Sequence, residues 1–342
     1  MSEATGIVAP AATTVRQHFY IDGGWSEPSR AERLDVVSPS SEEVVGSVPR
    51  AITGDIDRAV AAARRAFDSG PWPHLDVEER VSILEQARAR LAQRGEEIAH
   101  LVTLEMGLPI SVSRRILGLA LFYVDDAVTA GRAVLRPEVR RDIAGAGLVL
   151  REPVGVVGAI VPWNGPFLMA MAKTMPALVA GCTVVLKPAA ESPLDAYVLA
   201  EVFDELGLPP GVLNIVPGDG VVGEYLVRHP AVDMVSFTGS TTVGTRIGSV
   251  CGERLRRVCL ELGGKSAAIV LDDADLSASA PFLGAGIFFG SGQACVALSR
   301  VLAPRRRYDE VVDALCEQAR IQVLGDPFDP ATTMGPLVSQ RQ

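Results

Sequence analysis

Histidine, cysteine pairs and positive charge are all in short supply here, and each shortage removes a class of explanation. Four histidines stand among 342 residues with no H-x-x-x-H pair, and the five cysteines (Cys182, Cys251, Cys259, Cys295 and Cys316) show no C-x-x-C spacing. Neither arrangement of metal ligands is present, so no structural metal is expected and the cysteines read as reduced thiols. Lys and Arg total 32 against 41 for Asp and Glu, a balance that argues against nucleic acid or an anionic membrane as the main partner. No apolar stretch is long and clean enough to span a bilayer, which takes about 20 residues. Residues 1–14 lack the basic head and apolar run of a secretory signal. These absences together predict a soluble, cytoplasmic chain.

What is plentiful is hydrophobic residue, 48% of the total, enough for a large core. At roughly 150 residues per domain, the length suggests two domains. The stretch 19–25 (Phe-Tyr-Ile-Asp-Gly-Gly-Trp) reads as strand, turn and return, with the paired glycines Gly23 and Gly24 supplying positive φ. Asp55 is expected to cap a helix whose apolar face is Ile56, Ala59, Val60, Ala63 and Phe67, ending at Gly70-Pro71. Further helices are predicted over 77–94 and from Glu96 to about Met106.

From Leu148 the pattern changes. Residues 154–161 form a β-branched run of the kind found in strands buried on both faces of a parallel sheet. Similar runs return at 183–186, 212–216 and 234–237, with helical segments at 168–180, 195–206 and 223–229 between them. Strand and helix in regular alternation predict a doubly wound α/β sheet with right-handed crossovers. Ligands on such sheets sit beyond the carboxyl ends of the strands, where this chain places Pro162-Trp163-Asn164, Lys187-Pro188-Ala189, the stretch 217–220 and Thr238-Gly239-Ser240.

Three constellations carry possible chemistry. The turn Gly239-Ser240-Thr241-Thr242-Val243-Gly244 leads from a strand into a helix, where free N–H groups and the helix dipole favour a phosphate; a purely steric reason for its glycines is equally open. It lacks the Lys-Ser or Lys-Thr of a P-loop and the G-x-G-x-x-G spacing of the usual dinucleotide fingerprint. Cys295 follows Gly290-Ser291-Gly292-Gln293-Ala294, where glycine leaves backbone amides accessible; a nucleophilic thiol there needs a base or a positive environment. The other cysteines read as small core residues. Glu261, in Leu260-Glu261-Leu262-Gly263-Gly264-Lys265, is a carboxylate in an apolar run. Burial would raise its pKa toward the range of a general base, while pairing with Lys265 or Arg257 is the plainer alternative.

Pro162-Trp163-Asn164, Lys187-Pro188-Ala189, Phe237-Thr238-Gly239-Ser240-Thr241, Leu260-Glu261-Leu262-Gly263-Gly264-Lys265 and Gly292-Gln293-Ala294-Cys295 together resemble the aldehyde dehydrogenase superfamily, in its order and near its spacing, from about Tyr20 onward. The resemblance implies NAD(P)⁺-dependent oxidation of an aldehyde to an acid. Cys295 would be the nucleophile, Asn164 and the Cys295 N–H the oxyanion donors, and Glu261 the base for thioester hydrolysis. Cofactor contacts are implied for Ile160, Pro162, Trp163, Lys187, Gly220, Gly239, Ser240, Gly244 and Leu262. The implied fold is a Rossmann-like NAD(P)-binding domain over 1–262, with a projecting oligomerisation hairpin at about 131–150, and an incomplete α/β catalytic domain over 263–342.

Where many NAD⁺-preferring members carry Glu three residues after the lysine, this chain has Ala190 followed by Glu191, so NAD⁺ is favoured over NADP⁺ only narrowly. Family members continue well past the position of Gln342, and a C-terminally truncated fragment is therefore expected. The full-length form is expected to be a homodimer or homotetramer acting on a small-molecule aldehyde. Gly165, where many relatives have an aromatic residue, suggests a roomier mouth. Two alternatives stand beside this reading: a CoA-acylating or semialdehyde-specific member, and a fragment that binds dinucleotide without turnover.

Overall fold

The computed structural model describes residues 13–143 and 145–342; the reading of residues 1–12 as lacking a signal lies outside the described residues. The chain begins with β1 (Thr14–Val15), the hairpin β2 (Phe19–Ile21) and β3 (Gly24–Ser26), then β4 (Arg33–Val37) and β5 (Val44–Pro49). Helices α1 (Thr53–Ser69), α2 (Val77–Gln93), α3 (Gly95–Met106) and α4 (Ile110–Val134) follow, then the exposed hairpin β6 (Glu138–Asp142) and β7 (Gly145–Val149). The alternating part runs β8 (Val156–Ile160), α5 (Pro166–Val179), β9 (Thr183–Lys187), α6 (Leu194–Glu205), β10 (Leu213–Ile215), α7 (Gly220–Arg228), β11 (Met234–Gly239), α8 (Thr241–Gly252) and β12 (Arg257–Leu262). Last come β13 (Ala267–Ile269), α9 (Leu276–Phe288), β14 (Arg300–Leu302) and α10 (Tyr308–Arg320).

Strands β8 to β12 form the expected parallel sheet, extended by the first hairpin into the order β12-β11-β8-β9-β10-β2-β3. The β8, β9 and β10 residues are buried, which explains their unbroken apolar runs. Register aligns Ile160 with Lys187 and with Phe237, so these strands end level at one rim of the sheet. One apolar cluster, with Trp72, Tyr197 and Phe203, fills the face covered by α2 to α6. A second, with Ile56, Val235 and Ile247, lies under α1, α7 and α8. Residues 263–342 have a small cluster of their own around Val270, Leu276 and Val311, and among the described residues β13 pairs only with β14.

Two local readings are corrected. The positive φ of the first hairpin belongs to Asp22 (59°) and Gly23 (74°), with Gly24 already in β3; an Asp-Gly pair is the usual chemistry of such a two-residue turn. Asp55 sits one turn inside α1, not before it, and its carboxylate reaches back to accept the Ile52 N–H at 2.9 Å. Burial pushes that carboxyl upward, but the N–H and hydroxyl donors of Ile52 and Ser29 and the Arg58 guanidinium outweigh it and hold it below its ordinary value.

Candidate active site

At the rim where the parallel strands end, two adjoining cavities open. The first, a groove of about 590 Å³, runs over the ends of β8, β9 and β11 and is lined by Ile160, Pro162, Trp163, Lys187, Gly220, Gly239 and Ser240 among others. The second, about 610 Å³, holds Asn164, Glu261, Leu262 and Cys295. Pro162, Trp163, Thr238, Gly239 and Ser240 line both, so a molecule lying in the groove can reach into the cavity. Of the residues implied for catalysis or cofactor contact, only Gly244 lines neither. A Cβ on it would come within 2.3 Å of the Leu262 side chain, so this glycine lets α8 pack against β12. The steric explanation holds for that position.

Lys187 is 6% exposed, and its ammonium donates to the carbonyls of Pro188 (2.7 Å) and Gly218 (2.8 Å). An ammonium has three N–H groups, which leaves one for the groove. Burial pushes this lysine down to about 8, against the opposing charges of Glu191 and Asp219. Two helix N-termini border the same groove, and they differ. On α7 the Asp219 carboxylate already accepts the Val221 and Val222 N–H groups and is bound by Arg50 at 2.6 Å. On α8 the cap is the neutral Ser240 hydroxyl, accepting only the Val243 N–H at 3.4 Å. The first two amides of α8 have no acceptor within the helix, so this is the end open to an anion.

Cys295 is exposed at the end of a strained approach. Gly290, Ser291 and Gly292 all have positive φ (61°, 57° and 76°), and for Ser291 that conformation is unfavourable. Neighbours hold it: the Ser291 hydroxyl accepts the Gly335 N–H at 3.0 Å, and the Gln293 side-chain oxygen accepts the Val338 N–H at 3.0 Å. On the other side the Asn164 amide donates to the Gln293 carbonyl at 2.8 Å. The three ties fix the backbone that presents the thiol.

Glu261 is exposed to the cavity rather than buried in β12, and among the described residues it has no ion pair with Lys265 or Arg257. The apolar run around it is one face of an edge strand. Cys259, on the same face of β12, also lines the cavity and is exposed, as is Cys316; only Cys182 and Cys251 are the core residues expected. The sequence reading missed Lys173. It lies on α5, is 7% exposed, and donates to the Ser236 hydroxyl at 3.2 Å on the cavity wall. Burial pushes its pKa down, while the charges available at Cys259 and Glu261 pull it back up.

A parallel sheet with an anion-ready helix end and a buried lysine in one groove, and exposed thiols in the adjoining cavity, has the layout of a nucleotide-binding enzyme. Comparison with known proteins names the group. The profile of the aldehyde dehydrogenase family matches residues 25–342. The geranial dehydrogenase of Castellaniella defragrans is 46% identical over 332 residues, 96% of this chain and 69% of the relative. The 3-succinoylsemialdehyde-pyridine dehydrogenase of a Pseudomonas species is 43% identical over 95% of this chain and 68% of its own length. The crystal structure of a Mycobacterium tuberculosis aldehyde dehydrogenase complexed with NAD⁺ superposes with a TM-score of 0.94 at 44% identity, covering 97% of this chain and 68% of that one. The chain belongs to the aldehyde dehydrogenase family, which oxidises aldehydes to acids with NAD(P)⁺. It spans a little over two thirds of the relatives it matches.

Proposed function

We propose that this chain carries out aldehyde oxidation with Cys295 as nucleophile, Asn164 as oxyanion donor and Glu261 as the base for hydrolysis. The observation that carries the reading is that these three side chains share one cavity, which opens into the groove holding Lys187 and the free end of α8. The groove suits a dinucleotide: the α8 amides and Ser240 would take the pyrophosphate, Lys187 a ribose hydroxyl, and Gly220, beyond whose Cα there is open space, leaves room for the chain. When bound, the nicotinamide supplies an acceptor for hydride.

The protein's own part begins when the Cys295 sulfur, as thiolate, adds to the aldehyde carbon. The oxygen gains negative charge beside the Cys295 backbone N–H and the Asn164 amide. That amide has two hydrogens, and only one is engaged by Gln293, so the other is available where charge develops. After hydride leaves, the acyl group remains on sulfur as a thioester. Glu261 accepts a proton from the water that attacks it, and acid and thiolate separate.

The cavity wall is largely apolar, with Tyr123, Trp163, Met169, Leu262 and Val296, and a side chain at Gly165 would meet only Met169, at 4.0 Å. These features favour a bulky apolar aldehyde, of the kind named for the geranial dehydrogenase, over a semialdehyde with a second charge. A free carboxylate at Glu261 favours hydrolysis over acyl transfer to CoA. Glu191 on the groove rim, together with Arg246 held by Glu224 at 2.5 Å, supports NAD⁺ over NADP⁺. The split near 262 into a dinucleotide-binding and a catalytic domain, and pairing of copies through β6 and β7 in a cytoplasmic homo-oligomer, complete the proposal.

The test is reduced-nicotinamide formation with a panel of aliphatic and aromatic aldehydes, NAD⁺ and NADP⁺ being supplied separately. Turnover that disappears in Cys295→Ala supports the assignment. Equal rates in the two proteins overturn the role of the thiol. If neither turns over, the alternative of a dinucleotide-binding chain without catalysis stands.

A further inference from the structure

Two helices that border the site begin without caps of their own. α5 starts at Pro166 after Gly165 and α6 starts at Leu194 after Pro193, and neither Gly165 nor Pro193 offers a side-chain acceptor. Buried helix N-termini still need acceptors for their first amides. Here they come from other elements. Glu105, near the end of α3 and 0% exposed, accepts the Leu194 N–H at 2.7 Å and also the Asp195 N–H. Asp195, 1% exposed on α6, has its carboxylate close to the backbone N–H groups of Ala196 and of Phe167, the latter in the first turn of α5. The relay therefore runs from α3 to α6 to α5, and α5 is the helix that directly follows Trp163 and Asn164. The Ser192 hydroxyl adds a contact to the Trp163 carbonyl at 3.2 Å.

Each acid has one oxygen left over. Glu105 Oε2 and Asp195 Oδ2 are buried and have no hydrogen-bond partner. Charged groups on the surrounding helices that are engaged elsewhere include Glu97 and Glu201 with Arg94, Glu96 with Arg114, Asp125 with Arg88, Arg132 with Glu78 and Glu85, and Lys173 with Ser236, while Arg115 and Asp126 on α4 are solvent-exposed. Glu191, in the loop before α6, lies toward Lys187. Two unpaired carboxylates cannot both stay charged in a dry interior.

We infer that Glu105 and Asp195 share a proton and act as positioning residues, a two-step cap that holds the start of α5 and with it the oxyanion donor Asn164. The inference rests on the proposed role of Asn164. Its stability test needs no turnover, so the two can fail separately. Burial pushes Asp195 up to about 8, and burial together with the charge of Asp195 pushes Glu105 well above the usual carboxylate range. For acids raised on folding, the native state holds the proton longer than the unfolded chain. The pair's stabilising contribution is therefore complete below the ordinary carboxylate range and is lost as pH rises toward about 8.

The experiment compares the chain with Asp195→Asn and Asp195→Ala, with Glu105→Gln as a second carboxamide variant should Asp195→Asn fail to fold. Asn keeps an oxygen for the Phe167 N–H and offers a permanent donor toward Glu105. The melting temperature of the unaltered chain should fall between about pH 5 and about pH 9 relative to the carboxamide variant; parallel curves overturn the shared proton. In aldehyde oxidation, Asp195→Ala should lower kcat by at least about tenfold with little change in nucleotide affinity, and Asp195→Asn should restore most of it. Equal losses in Ala and Asn variants overturn the positioning role.

Discussion

A thiol acts as a nucleophile only where the backbone brings it into the open, and at Cys295 that is the work of three left-handed residues and the hydrogen bonds that hold them. Glu261, the proposed base, stands exposed in the same cavity. Glu261→Gln should leave the first turnover, seen as a burst of reduced nicotinamide, while steady-state acid formation falls by about 10²–10⁴; an unchanged steady state removes Glu261 from the hydrolytic step. Lys187 sets a second expectation. Below about 8 its ammonium is charged, so dinucleotide affinity should weaken as pH rises through that value, and Lys187→Met should flatten the dependence in a binding titration. Much of this was legible from residue type and spacing, because thiol, amide, carboxylate and lysine stand in short distinctive motifs. Lys173 was not. A lysine on a helix ordinarily reads as a solvated residue, and only the packing of α5 over β11 turns it toward Ser236. The exposure of Glu261 and Cys259 was hidden for a related reason: an apolar run does not reveal that its strand lies at the edge of a sheet.

Among the elements, the parallel strands were plain because strands buried on both faces need β-branched residues throughout, and β8 and β9 are buried along their length. α4 was harder to see. Its 25 residues carry exposed Leu119 and Phe122 as well as the buried Ile116, Ala120 and Val124, so apolar residues occupy more than one face and the helical period is blurred. Gly244 shows a glycine whose reason is contact between elements rather than the turn it closes. Gly244→Val should push α8 away from Leu262 and cost about 1–3 kcal/mol of stability. In denaturant melts that appears as a lower midpoint with an unchanged slope, and an unchanged midpoint argues against close packing at this contact.

At the scale of the molecule, the alternation of strand and helix pointed to the rim of the sheet, where the two cavities open, and five motifs were enough to place the family. The pairing of the first hairpin with β10 was not visible, because helices α1 to α4 and strands β8 and β9 all lie between the partners in the chain. A dinucleotide that binds the native groove and not the unfolded chain should add about 2.7 kcal/mol to the unfolding free energy at one hundred times its Kd, and so raise the melting temperature. Thermal scans with and without NAD⁺ measure this, and a transition indifferent to nucleotide would contradict the assigned groove.

Trp163 stands in the wall common to groove and cavity, whereas Trp72 is fully buried in the core and Trp25 lies by Tyr197 in the first hairpin. One indole of three thus borders both the groove and the cavity. The protein contains its own optical probe of occupancy, whose emission reports what lies against it on either side, with no label attached.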